Sequence, residues 1–433
     1  MEYQFPYPDV PKLVVPDRNL MGVFAARECR TCGEPAEIIR SALAAPIGTP
    51  RLAELARACR AGGARHVLLV VDDNSRPTPV HLILPPIMEE LHSAGVADSS
   101  IEILLALGTH RFMTPAEIET KLGPAIAARY SVHNHDWKDP ASCELIGTTA
   151  QGVDVWINKR VARADLVIGV GRIMPLEVSG FTGGGKILVP GVCGKLTNDE
   201  MHWTRMDVPD DQVIGQRDNP VRASIDALAR EAGLDFIVNV VMDSSARILH
   251  AVAGDMVEAH RAGCVLALEA HAVHFPKAPD IVVADSYPFD IEFWQANKAL
   301  DQAGLVVRQG GVLILVSPCT EGFSATHREL IDFGYPPVEE IKRMVAEGTI
   351  VNKVVAVHMA QVSRVARERA TVILVTSGIP EAAVRKVGLE YAATPQAALE
   401  DAFRIAGADA SVALLRGAAE MLPIVTAQGG VRA

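Results

Sequence analysis

The sequence predicts an α/β protein of two α/β domains, each on a mainly parallel sheet, with the active site in the cleft between them. Three observations carry this. Short apolar runs that end in polar residues recur along the chain and read as strands buried on both faces. Helix-like segments separate them, as the crossovers of a parallel sheet require. A linker-like stretch, Phe275-Pro276-Lys277-Ala278-Pro279, divides residues 1–275 from 276–433.

The elements follow in order. Residues 66–73 (HVLLVVDD) form the first predicted strand and 80–92 a helix. Residues 101–107 (IEILLAL) form a second strand, with Gly108-Thr109-His110-Arg111 at its carboxyl end. Residues 114–121 begin as a capped helix, with Thr114 as cap and Glu117 three positions on. Residues 164–170 (ADLVIGV) are a third strand leading to a glycine-rich turn. Past the linker, 280–284, 311–316 and 371–375 read as strands of a second unit. Residues 411–415 and the terminal helices either complete that unit or return to the first. Ligands of open parallel sheets bind beyond the carboxyl ends of the strands. The clusters Asp73-Asn74-Ser75-Arg76, Gly108 to Arg111 and Gly180 to Lys186 all follow predicted strands, and so point to one shared site.

The chain has 433 residues, of which 49% are hydrophobic and 21% charged, an ordinary balance for a soluble enzyme with large cores. A net charge of −11 argues against nucleic acid, yet leaves room for a local basic pocket. No apolar run approaches the roughly 18 residues of a membrane span. The N-terminus lacks the basic and apolar regions of a signal peptide, so a cytoplasmic protein is expected. Seven cysteines in so long a chain fit reduced thiols. Cys29 and Cys32, without a second pair or a nearby histidine, read as two thiols in a loop.

The turn Gly-Phe-Thr-Gly-Gly-Gly-Lys at 180–186 matches the spacing of a P-loop, but Ile187 stands where a hydroxyl should hold magnesium. The following Ile-Leu-Val-Pro-Gly reads as a short extended segment and a turn, where a P-loop opens a helix. Two readings remain for Lys186: a solvated turn lysine, or one held near a ligand by backbone that Gly183, Gly184 and Gly185 permit.

Other residues carry chemistry by type and place. Arg76, in a loop stiffened by Pro77 and Pro79, suits a carboxylate or phosphate; its alternative is a surface pair with Asp73. His110 suits general acid/base work; its alternative is a histidine satisfying a local turn. His202 suits a metal, but no second ligand stands beside it, so a cofactor would have to supply the others. Gln295 and Lys298 share one helical face, turned to the cleft or to solvent. His133 and His135 would share a side only in a strand, and a metal there is not favoured.

Taken together, these motifs resemble the lactate racemase family, from about residue 45 to the C-terminal region. The resemblance rests on Asp73-Asn-Ser-Arg76-Pro77, Gly108-Thr-His110-Arg111, Gly180 to Lys186, Val189-Pro190-Gly191, His202, Asn239-Val-Val-Met-Asp243, Ala253-Gly-Asp-Met256 and Gln295-Ala-Asn-Lys298. It implies an isomerase that uses a nickel-pincer nucleotide, a pyridinium-derived mononucleotide tethered to Lys186 through a thioamide. Nickel would take two sulfurs and a ring carbon from the cofactor and His202 as fourth ligand, a set suited to square-planar Ni(II). Asp73, Gly183, Gly184 and Gly185 would lie beside the cofactor. Arg76 and Lys298, supported by Gln295, would hold the carboxylate of a 2-hydroxy acid. His110 would move its hydroxyl proton while C2 exchanges hydride with the cofactor. Enzymes that build the cofactor are implied partners.

One position departs from the family. Its second catalytic histidine falls at Leu176 here, which moves no proton. Glu177 is adjacent, Trp294 would sit beside the substrate, and His358 stands where lactate racemases carry a tryptophan; Glu177 and His358 are the two candidates to restore a second base. These changes imply a pocket rebuilt for a substrate other than lactate, and a racemase or epimerase of another 2-hydroxy acid. The alternatives are a one-sided hydroxy acid redox enzyme and a non-catalytic protein that binds the cofactor.

Overall fold

A computed structural model describes residues 1–28, 33–61, 66–148 and 152–426; Cys29 and Cys32 lie outside them. The first large sheet has the strand order Ile248–Gly254, Phe236–Met242, Leu166–Arg172, Val67–Asp72, Ile101–Ala106, Ser131–Asn134. All its pairings are parallel except that of the edge strand Ile248–Gly254. The second has the order Glu390–Ala392, Ala370–Val375, Gly311–Val316, Ile281–Asp285, Val412–Arg416, Leu20–Ala25, and is parallel throughout. The two-domain α/β expectation therefore holds at the level of the sheets.

The apolar runs form strands because both faces of each sheet are covered. Val67 to Val71, Leu166 to Val170 and Ile281 to Ala284 are almost wholly buried. Alternate side chains enter separate cores, such as Leu69 and Val71 on one face and Leu68 and Val70 on the other. Burying such a side chain contributes roughly 1.5–3 kcal/mol, which fixes strand register more firmly than any turn does. The capped helix runs Pro115–Leu122, with Thr114 and Glu117 in the reciprocal hydrogen bonds expected of them.

Two features differ from the sequence reading, and one choice it left open is settled. Residues assigned to the first unit by number, Glu2–Tyr3, Leu13–Val14 and Leu20–Ala25, lie with the second sheet, where Leu13 and Val15 join the core beside Ile281. Strand Val412–Arg416 completes the second sheet, while Leu422–Val425 pairs with Ala272–Phe275 at the predicted boundary. The segment after Lys186 is not extended: Gly184–Ile187 is a turn of 3-10 helix, and the chain continues in turns to Gly191. Leu188 and Val189 are apolar because they plug a core, not because they pair in a sheet.

The chain leaves Val67–Asp72 toward Ile101–Ala106 on one side and reaches Leu166–Arg172 on the other. The carboxyl ends of these strands open a crevice at that reversal, which is where the polar clusters converge. The helix Phe293–Gly304, after the strand Ile281–Asp285 of the second sheet, faces the crevice from across the cleft.

Candidate active site

One cavity of about 180 Å³ is lined by both units. The first gives Asp73, Arg76, His110, Leu176, Glu177, Gly183, Lys186 and His202; the second gives Trp294, Gln295, Lys298 and His358. The residues singled out in the sequence thus meet, except Gly184 and Gly185, which lie behind the wall.

Asp73 follows the strand Val67–Asp72 and His110 follows the strand Ile101–Ala106. Oδ2 of Asp73 is 2.7 Å from Nδ1 of His110, while Oδ1 accepts from Ser75 Oγ at 2.6 Å and its backbone N–H at 3.2 Å. Burial opposes ionisation of Asp73, but the His110 ring and Arg76 hold its carboxyl well below the usual range. A carboxylate only accepts, so Nδ1 of His110 carries the proton and Nε2 keeps a lone pair. Such a base, oriented by a buried carboxylate, can take up a proton from a hydroxyl group. Asp73, expected beside the cofactor, lines the cavity and is hydrogen-bonded to His110 and Ser75. Arg76 does not pair with Asp73, and so the surface-pair alternative falls; Arg111 points away, forked onto Glu117 at 2.6 and 2.9 Å.

Lys186 stands on the floor of the cavity with no hydrogen bond or ion pair to Nζ among the described residues. Burial, with Arg76 and Arg222 adding to it, pushes its amine down to about 7. Competitive labelling with an amine-selective reagent should therefore show Lys186 of the unmodified protein gaining reactivity with a midpoint near pH 7, below the ordinary lysine range. A midpoint near 10 would contradict this.

The glycine turn is packed from behind. Arg222 donates to the carbonyl of Gly183 at 3.1 Å, Asn239 accepts from the N–H of Gly184 at 2.8 Å, and His260 bonds the carbonyl of Thr182 at 2.9 Å. A Cβ on Gly183 would stand 2.7 Å from Asn239, and one on Gly184 2.8 Å from the His260 ring; their φ angles are 78° and 59°. The glycines expected to admit a cofactor thus first admit the protein's own neighbours. Gly184→Ala should cost about 2–4 kcal/mol in denaturant unfolding, from the strained φ and the collision together. An unchanged midpoint would show that His260 moves aside.

His202 lies on the helix Lys195–Trp203. Its Nδ1 is 2.9 Å from the carbonyl of Asn198, so Nδ1 carries the proton and Nε2 is left with a lone pair. Burial, and then Lys186 nearby, push its pKa down to about 4, which keeps it in the neutral form a metal binds. Among the described residues no three His, Cys, Asp or Glu side chains converge on one point, so His202 is a single donor. His135 is satisfied by Cys193 O and Asn158 at 3.0 Å each.

Across the cleft, Lys298 is bonded to Gln295 Oε1 and lies 5.1 Å above the Phe289 ring. Burial pushes it down to about 8, against the pull of Glu177. Glu177 is 9% exposed, and its carboxylate has no hydrogen-bond or ion-pair partner among the described residues. Leu176, paired with Gly180 in a two-residue ladder, presents only hydrocarbon. Trp294 stacks on His358 at 4.3 Å and 23°.

Models of the lactate racemase N-terminal domain and C-terminal domain match residues 9–213 and 276–421. The lactate racemase of Thermoanaerobacterium thermosaccharolyticum is 31% identical over 71% of this chain and 72% of its own. That of Lactiplantibacillus plantarum is 33% identical over 66% of each.

The chain belongs to the lactate racemase family.

It is an enzyme of the isomerase class, as racemases are. Its fold matches the lactate racemase apoprotein structure from T. thermosaccharolyticum with a TM-score of 0.86, at 27% identity, over 98% of this chain and all of that one. A Thermotoga maritima protein shares the fold at 22% identity and TM-score 0.71, over 91% of this chain and all of that one. Among the described residues, no helix is long and apolar enough to cross a membrane.

Among the cavity residues that sequence reading of this lactate racemase family member missed are Arg172, Asn297 and Gln361. Arg172 is a buried cation paired with Glu420 at 2.8 Å. Gln361 carried one legible signal, a polar side chain one turn from His358 in a run otherwise largely apolar.

Proposed function

We propose that this protein racemises or epimerises a 2-hydroxy acid other than lactate, with a nickel-pincer nucleotide tethered to Lys186. The observation that carries this is the meeting, in one cavity, of an unpartnered lysine, a neutral histidine with a free Nε2, and an Asp73–His110 base. The site's residues fit the group: a lysine depressed toward neutrality is available for acylation, and one imidazole suits a metal whose other donors come with the cofactor. When bound, the cofactor would supply a reversible hydride acceptor for C2 of the substrate.

The protein's share is binding, orientation and proton movement. Arg76 and Lys298 hold the substrate carboxylate, with Gln295 fixing the Lys298 ammonium. Nε2 of His110 takes the hydroxyl proton of one epimer. Glu177, buried, unpartnered and beside the leucine that replaces the family's second histidine, takes that of the other. His358 does not serve, because burial pushes it down to about 3. Cofactor-building enzymes are needed as partners in the cell.

The test runs the loaded enzyme in ordinary water on a substrate deuterated at C2. Hydride exchange predicts a product that keeps its deuterium. Solvent hydrogen at C2 would contradict it, because proton abstraction would then be the mechanism.

A further inference from the structure

The capped helix Pro115–Leu122 touches both loops that carry the proposed chemistry, yet that chemistry gives it no part. Glu117 does more than complete the capping box with Thr114. Its carboxylate accepts from Arg111, the neighbour of His110, at 2.6 and 2.9 Å, and from Asn74, the neighbour of Asp73, at 2.9 Å. Lys121 is four residues on and shares the same helical face. Its side chain is only 6% exposed. Nζ donates to the backbone carbonyl of Arg76 at 2.8 Å and lies 2.8 Å from Oδ1 of Asp72. Oδ2 of Asp72 accepts from Thr78 Oγ1 at 2.6 Å.

The loop 73–79 has no helix or strand to hold it. Pro77 and Pro79 supply no backbone N–H, so side chains must fix its course. A buried ammonium is costly unless it is paired, and replacing a buried ion pair by apolar side chains is often neutral or stabilising. Packing alone would therefore be served as well by a methionine at this position. What methionine cannot do is grip the carbonyl of Arg76, the residue whose side chain lines the cavity.

We infer that Lys121 is a positioning residue: its bond to the Arg76 carbonyl, with Glu117 tying Asn74 and Arg111, makes this helix a bracket that sets Arg76 for the substrate carboxylate. The carboxylate role of Arg76 rests on the function proposed above; the grip on the loop does not.

Lys121→Met combined with Asp72→Asn removes both charges of the pair and leaves neither unpaired. Hydrogen exchange read by mass spectrometry on the loaded protein should then show the amides of Ser75 and Arg76, both bonded to Asp73, exchanging at least about tenfold faster while the sheet stays protected. Unchanged exchange at those amides would overturn the inference. Should this variant fail to fold, Glu117→Ala, at a partly exposed side chain, decides by the same readout and in the same sense. Oxalate, an analogue of a 2-oxo acid, probes the guanidinium by calorimetric titration. The paired variant should bind it at least about tenfold more weakly, yet cost nothing further when Arg76→Ala is already present. An equal further loss in that background would overturn the route through Arg76. Full oxalate affinity in Arg76→Ala, or none in the unaltered protein, would remove Arg76 as the carboxylate holder of the proposed function, and the exchange result would still decide on Lys121.

Discussion

Replacing His110 by alanine should lower turnover by about a thousandfold, within the range expected for loss of a general acid/base. Asp73→Asn should lower it by roughly 10²–10⁴, because an amide that donates to Nδ1 favours the wrong tautomer and takes the lone pair away from Nε2. Both variants should keep Lys186 modified, since neither carries the tether. Steady-state rates beside the mass of the Lys186 peptide check this. Near-normal turnover in Asp73→Asn would mean that the 2.7 Å contact to His110 only positions a loop.

Glu177→Gln should abolish interconversion while sparing half of the chemistry. With His110 intact, the loaded variant should still form 2-oxo acid from one epimer in a single turnover. From the other epimer the rate should fall by roughly 10²–10⁴. Steady-state rates alone do not reveal this, because the overall equilibrium constant ties the two directions together. Rapid-quench measurement of 2-oxo acid from each pure epimer does. Equal losses from both epimers would remove Glu177 as the second base and make it an electrostatic partner of Lys298 and Lys186, whose pKa values it pulls upward.

Much of this arrangement was legible in the sequence, for physical reasons. The strands showed because parallel sheets bury both faces and leave continuous apolar runs, as at Val67 to Val71. The polar clusters after those runs showed because ligands sit at strand ends. The Asp73–His110 bond did not show: the two residues lie 37 positions apart, and only the parallel pairing of their strands joins them. The edge strand Leu20–Ala25 was missed because it is only half-buried and lacks a clear period. Ile187 to Val189 misled, since an apolar run looks alike whether it pairs in a sheet or plugs a core. Asn297 was overlooked inside a motif whose neighbours, Gln295 and Lys298, carry more obvious chemistry.

The central claim is that Lys186 carries the cofactor. Its most direct test is the mass of the Lys186 peptide from protein produced together with the enzymes that make the pincer nucleotide. The account predicts an increase equal to the tethered nucleotide, on that lysine and lost in Lys186→Ala. An unmodified Lys186, in cells where another lactate racemase is loaded, would contradict it.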